Sequence, residues 1–187
     1  MSEESALELK HKSFVILGLV AEEDSHPYKI DQKIEERGMR DWTNIGVSFS
    51  QTTIYRILDR LEQKELVESY SEEVDNRERK VYTLTTKGSS SLHKKIYDTL
   101  ANFFGKNDED FYVAFSMYPF LSQDRIIEAL DKSLRKIRTH VKELEEMLKE
   151  NKEYPMNVRG LFIHPIEIMK TDIKFLEMVQ KHILKED

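Results

Sequence analysis

The run Ser50-Gln51-Thr52-Thr53-Ile54-Tyr55-Arg56-Ile57-Leu58-Asp59-Arg60-Leu61 carries two helix-face patterns at once. Ile54, Ile57, Leu58 and Leu61 recur at i, i+3, i+4 and i+7, one apolar stripe. Ser50 is a preferred N-cap type, because its side-chain oxygen can accept a backbone N–H of the first turn. The opposite face holds Thr52, Tyr55, Arg56, Asp59 and, a turn later, Gln63. A purely structural helix fills such a face with Glu and Lys. Here hydrogen-bonding side chains and a phenol stand there instead.

On the N-terminal side, Leu7, Phe14, Ile16, Leu17, Leu19 and Val20 predict a helix over 7–21 buried on a broad face. Asp24-Ser25-His26-Pro27 breaks it. Ser25 or His26 caps a second helix with Pro27 at its first position, where a missing N–H costs nothing. That helix runs through Tyr28, Ile30 and Ile34 and stops near Gly38. A loop over 39–49 carries the single tryptophan, Trp42, whose expected role is packing, with a ligand-pocket role as the alternative. On the C-terminal side, residues 66–71 predict a strand, 72–78 a polar turn and 81–85 a second, alternating strand. Thr85 or Thr86 opens a fourth helix through Leu92, Ile96, Leu100 and Phe103, ended at Gly105. Three helices followed by a hairpin make the order of a winged helix-turn-helix.

The remaining chain reads as helical. A short aromatic helix covers 110–118. Ser122 caps a long helix whose apolar residues Ile127, Leu130, Leu134, Ile137, Val141, Leu144 and Leu148 alternate in steps of three and four. After a turn containing Pro155, a last helix carries Phe162, Ile166, Met169, Ile173, Leu176, Val179 and Ile183, with Pro165 as a kink or a first-turn residue. The two long helices are expected to pack antiparallel and to leave apolar surface for a second chain, so the heptad seam is assigned to dimerisation. The predicted fold class is mainly α with a small β-hairpin. A winged helix-turn-helix with linker helix spans 1–104, and an antiparallel helical dimerisation domain spans 105–187.

Composition excludes several chemistries. With no cysteine there is no disulfide, thiolate metal site or cysteine nucleophile. The acidic start and the short apolar run over 14–21 predict a soluble, cytoplasmic protein with no membrane span. The six histidines lack metal-ligand spacing and the six glycines are dispersed, so no metal, cofactor or catalytic constellation is expected, and the chain is not read as an enzyme.

The formal net charge of −6 argues against nucleic-acid binding unless positive charge is local. It is local. Residues 76–87 hold four basic residues (Arg77, Arg79, Lys80, Lys87) against one acid, Glu78, whereas the first 92 residues hold 13 basic against 18 acidic. A winged helix reads DNA by base-edge contacts from its third helix, a helix N-terminus near phosphate and flanking cations. Gln51 suits adenine, Arg56 suits guanine, Ser50 or Thr53 suits a phosphate, Thr52 stands beside them, and Arg77, Arg79 and Lys80 suit the flanking backbone. Taken singly, the helix also reads as an ordinary core helix and the hairpin cations as a solvated turn. Their conjunction in this order favours a double-stranded DNA partner. The acidic balance keeps open a winged-helix protein-interaction module that does not bind DNA.

Ile16-Leu17-Gly18-Leu19-Val20, His26-Pro27-Tyr28-Lys29-Ile30, residues 53–62, Leu66-Val67-Glu68 and residues 79–88 together resemble, in order, the motifs of PadR-type transcriptional regulators. The resemblance covers about the first half of the chain by motif; the second half resembles the helical extension of longer members by pattern alone. Two departures stand out: Pro27 replaces a usual glycine, and Glu65 stands where glycine normally precedes the strand. The resemblance implies a homodimer, usually a repressor, on a roughly palindromic operator. It implies that Tyr28, Thr53, Tyr55 and the basic hairpin residues face DNA, and that a small, often aromatic, effector releases some members from it.

Overall fold

The computed structural model describes residues 9–39, 50–74, 77–105 and 109–185. Its elements in chain order are α1 (His11–Glu22), α2 (Pro27–Glu36), α3 (Gln51–Gln63), β1 (Val67–Val74), β2 (Arg77–Leu84), α4 (Thr86–Asn102), α5 (Glu109–Ser116), a 3₁₀ turn (Tyr118–Phe120), α6 (Gln123–Glu150) and α7 (Met156–Ile183). The backbone divides into two compact units. The first holds residues up to Ile96 together with 112–117, and the second holds 97–111 and everything from Tyr118 onward.

The first unit is a winged helix. Its core is Phe14, Ile16, Leu17 and Leu19 of α1, Ile30 and Ile34 of α2, Ile54, Leu58 and Leu61 of α3, Leu66 and Tyr82 beside them, and Leu92 of α4. β1 and β2 pair antiparallel from Val67↔Leu84 to Val74↔Arg77. Ser25 adds a third, one-residue strand: its N–H donates to Tyr82 O and its O accepts from Tyr82 N–H, both at 3.0 Å. α2 ends as the chain's glycines suggest. Gly38 N–H donates to Glu35 O and Met39 N–H to Ile34 O, both at 3.0 Å, with Gly38 at φ 59. This is a Schellman cap, which satisfies carbonyls the helix leaves open.

α4 contributes residues to both units. The physical reason lies at its last turn, where carbonyls need donors. Ser133 Oγ donates to Leu100 O, and Lys136 Nζ donates to Ala101 O at 3.1 Å and Asn102 Oδ1 at 2.6 Å. These α6 side chains hold the end of α4 in the second unit.

The heart of the second unit is the antiparallel pair α6–α7. Gln123 Nε2 donates to Ile183 O at 3.0 Å, Gln180 Nε2 to Asp131 Oδ1 at 2.7 Å, and Lys170 pairs with Glu145 at 2.8 Å. Between them Leu130, Leu134, Ile137 and Val141 are buried, as are Ile166, Met169, Leu176, Val179 and Ile183 of α7. Ile127, Leu144 and Leu148 are half-buried. The heptad seam assigned to dimerisation is thus buried or half-buried within the single chain. A stripe with alternating steps of three and four needs a facing stripe, and α7 packs antiparallel against α6. Pro165 lies inside α7, neither at its first turn nor at its end.

Candidate nucleic-acid interface

α3 is built as its two patterns require. Ser50 Oγ accepts from Thr53 N–H at 3.2 Å and lies 2.9 Å from Thr53 Oγ1. The cap thus uses the Ser50 hydroxyl, and Thr53 is half-buried beside it. Ile54, Ile57, Leu58 and Leu61 are buried. Gln51, Thr52, Tyr55 and Arg56 are exposed, Tyr55 at 51%. The recognition-type face is open to solvent at positions 51, 52, 55 and 56.

α2 arrives beside it with its own cap. The backbone N–H of Lys29 donates to His26 Nδ1 at 3.1 Å, and Pro27 takes the first helical position. Tyr28 follows directly and is 64% exposed. The Ser25–Tyr82 bridge ties this corner to β2, and Tyr70 Oη adds a bond to Asp24 Oδ2 at 3.1 Å. These two links were not foreseen from the sequence. A single residue pairing with a distant strand leaves no periodic signal, and the one available hint was Ser25 ahead of a His-Pro start.

The hairpin cations divide into two kinds. Arg79 is exposed and makes no ion pair with a described residue. Arg56 on α3 is in the same state. Lys80 is tied down: its Nζ pairs with Glu62 at 2.7 Å and sits 4.9 Å from the Tyr82 ring centre. Glu62 also accepts from Ser69 Oγ. The Lys80 bond, then the Ser69 bond, hold the Glu62 carboxyl below its usual range, and the Glu62 bond raises Lys80. Lys80 therefore joins β2 to the end of α3 and steadies the hairpin. Arg77 is the first residue of β2, and its side chain lies outside the described residues, as does all of Trp42.

Several charges of α1 and α2 are matched to each other. Arg37 pairs with Glu22 at 2.6 Å, Lys29 with Glu23 at 2.6 Å and Lys33 with Glu23 at 2.7 Å. The lysines of α2 are thereby drawn toward the end of α1. Unspent positive charge is left on α3 and β2. Among the described residues no group of three metal-binding side chains is assembled, and no helix is long and apolar enough to cross a membrane.

A model of the transcriptional regulator PadR-like family matches residues 16–94. An uncharacterized protein of Lysinibacillus sphaericus is 34% identical over 87 residues, which is 46% of this chain and 75% of that protein. Among solved structures, smu.1704 of Streptococcus mutans UA159 is 31% identical over 45% of this chain and 73% of its own, with a TM-score of 0.37. Bacillus subtilis PadR in complex with operator DNA is 20% identical over 93% of this chain and 99% of its own, with a TM-score of 0.42. The family match runs from α1 into α4 and encloses α2, α3 and the hairpin, that is, every side chain of the open face described above. The chain belongs to the PadR-like family of transcriptional regulators.

Proposed function

We propose that the chain is a homodimeric transcriptional repressor that lays α3 in the major groove of a roughly palindromic operator, with the hairpin on the flanking backbone. The observation that carries this is the division of α3 into a buried apolar stripe and an open row of Gln51, Thr52, Tyr55 and Arg56. Gln51 offers an amide that matches adenine, and Arg56 a guanidinium that matches guanine. Ser50 keeps the first turn of α3 capped, so its remaining amides are aimed at a phosphate. Tyr28 and Arg79 take the backbone on either side. Lys80 keeps its bond to Glu62 and acts through the hairpin's position.

The dimer is supported by the outer face of α7. Leu161, Ile168 and Met178 are 73%, 41% and 61% exposed, and at about 100° per residue they spread over about 100° of the helix surface. A second copy of the chain covers this face, while the α6 seam stays internal.

The test is selection of genomic fragments by the full chain, followed by a mobility shift on the recovered duplex. Retention of one sequence class with two-fold symmetry is the expected result. The net charge of −6 favours the second reading, a protein-interaction module, and absence of any shift at low salt would decide for it. A reporter placed behind the recovered duplex tests repression, and a phenolic acid added to the same shift assay tests effector release.

A further inference from the structure

We propose that His26 is a direct phosphate contact of this interface, donating its Nε2–H to a backbone oxygen of the duplex beside Arg79. The proposal rests on the DNA-binding reading above. Its starting point is the cap of α2, where Lys29 N–H donates to His26 Nδ1 at 3.1 Å. A ring nitrogen that accepts carries no proton, so the proton of the neutral imidazole sits on Nε2. The cap therefore selects one tautomer and turns the other nitrogen into a fixed donor. The ring is only half-buried, and it lies nearly parallel to the exposed Tyr28 ring, with centroids 6.3 Å apart and planes 20° apart. The charged groups acting on it come from three elements. Burial first, then Arg79 of β2 and Lys29 of α2, lower its pKa, and Glu72 of β1 opposes them. The lowered pKa favours the neutral ring, and with it the tautomer that the cap selects. A neutral N–H donor beside the Tyr28 ring and within the field of Arg79 suits one anionic oxygen, while Lys29 is already paired with Glu23.

His26→Asn separates the two roles. Asn is among the best N-caps, so it keeps an oxygen for Lys29 N–H, but it places no donor at the far edge of the ring. The probes are a duplex selected by the parent chain from a random-sequence pool, and poly(dA-dT). The expected result is a parent-like melting midpoint with affinity lowered about five- to tenfold on both probes, because a phosphate contact carries no sequence information. The slope of log K against log salt stays at the parent value, since a neutral donor displaces no counterion, whereas Arg79→Ala flattens it by about one. Parent-like affinity of His26→Asn overturns the proposal. So does a flattened slope, which would mean an imidazolium contact. Should His26→Asn melt early, the ¹⁵N spectrum of the parent's imidazoles decides: a proton on Nδ1 of His26 overturns the proposal, and a proton on Nε2 that is protected on adding the duplex upholds it. If the parent binds neither probe, the DNA reading falls as well; if it binds and the variant binds equally, this inference falls alone.

Discussion

Glu65 has φ 59, the left-handed backbone that Gly38 adopts at the matching point of α2. At both points the next residue's N–H reaches back to the last turn, here Leu66 to Leu61 O at 2.9 Å. A side chain in this conformation costs about 1–2 kcal/mol, and glycine returns part of that through the entropy of the unfolded chain. Its ion pair with Lys87 is at the surface and adds little. Glu65→Gly is expected to raise stability by about 0.5–1 kcal/mol in urea unfolding, with DNA affinity unchanged. Gly88 is the opposite case. A Cβ there would lie 1.9 Å from Leu66 O, a backbone atom that cannot swing aside. Gly88→Ala is expected to cost about 2–4 kcal/mol in the same measurement. Asp172 has a buried Oδ2 without a hydrogen-bond partner, and burial pushes its pKa up. A carboxyl whose pKa is raised by folding stabilises the fold while protonated and loses that contribution as pH rises through the folded value. Asp172→Asn should therefore melt higher than the parent near neutral pH, with the difference shrinking in acid.

At the scale of elements, α1 and α2 are clasped by carboxylates. Burial pushes Glu22 up, but the bond to Arg37 and the charges of Arg37 and Lys33 outweigh it and the net shift is downward. Lys29 and then Lys33 bring Glu23 down to about 2. Lowered carboxyl pKa values mean stabilisation that is complete above the ordinary 4.5 and disappears as pH falls toward 2. Melting scans into acid should show that loss, and Glu23→Gln should flatten it. α3 and the hairpin are expected to divide their labour. Arg56→Ala should weaken binding by about 1–3 kcal/mol and relax base preference. Arg79→Ala should weaken all duplexes alike and lower the salt slope. Lys80→Ala should act more on melting than on the salt slope, because Lys80 is spent on Glu62.

For the whole molecule the decisive contrast is between the two faces of the α6–α7 pair. Leu134 is buried, whereas Leu161 and Ile168 are exposed. Leu161→Glu with Ile168→Glu is expected to give a folded monomer by light scattering that has lost operator binding, since a dimeric reader needs both half-sites. Leu134→Asp is expected to melt the second unit, with loss of helical circular dichroism, because it buries a charge in the seam. A dimer that survives the double substitution would place the interface elsewhere.

Most of the fold was legible before any coordinates. Stripes at i, i+3, i+4 and i+7, the Ser50 cap, Pro27 at a first turn and Gly38 at a last one are local signals, since each depends on residues within a turn or two. The open face of α3 followed from the same periodicity, because burying one stripe turns the opposite one outward. What only the tertiary structure decided were pairings between residues far apart in the chain: Ser25 with Tyr82, Lys80 with Glu62, and the end of α4 with Ser133 and Lys136. The same holds for the heptad seam. Its spacing announces that a partner helix must cover it and is silent on whether that helix belongs to the same chain, because spacing is a local signal and the course of α7 is not.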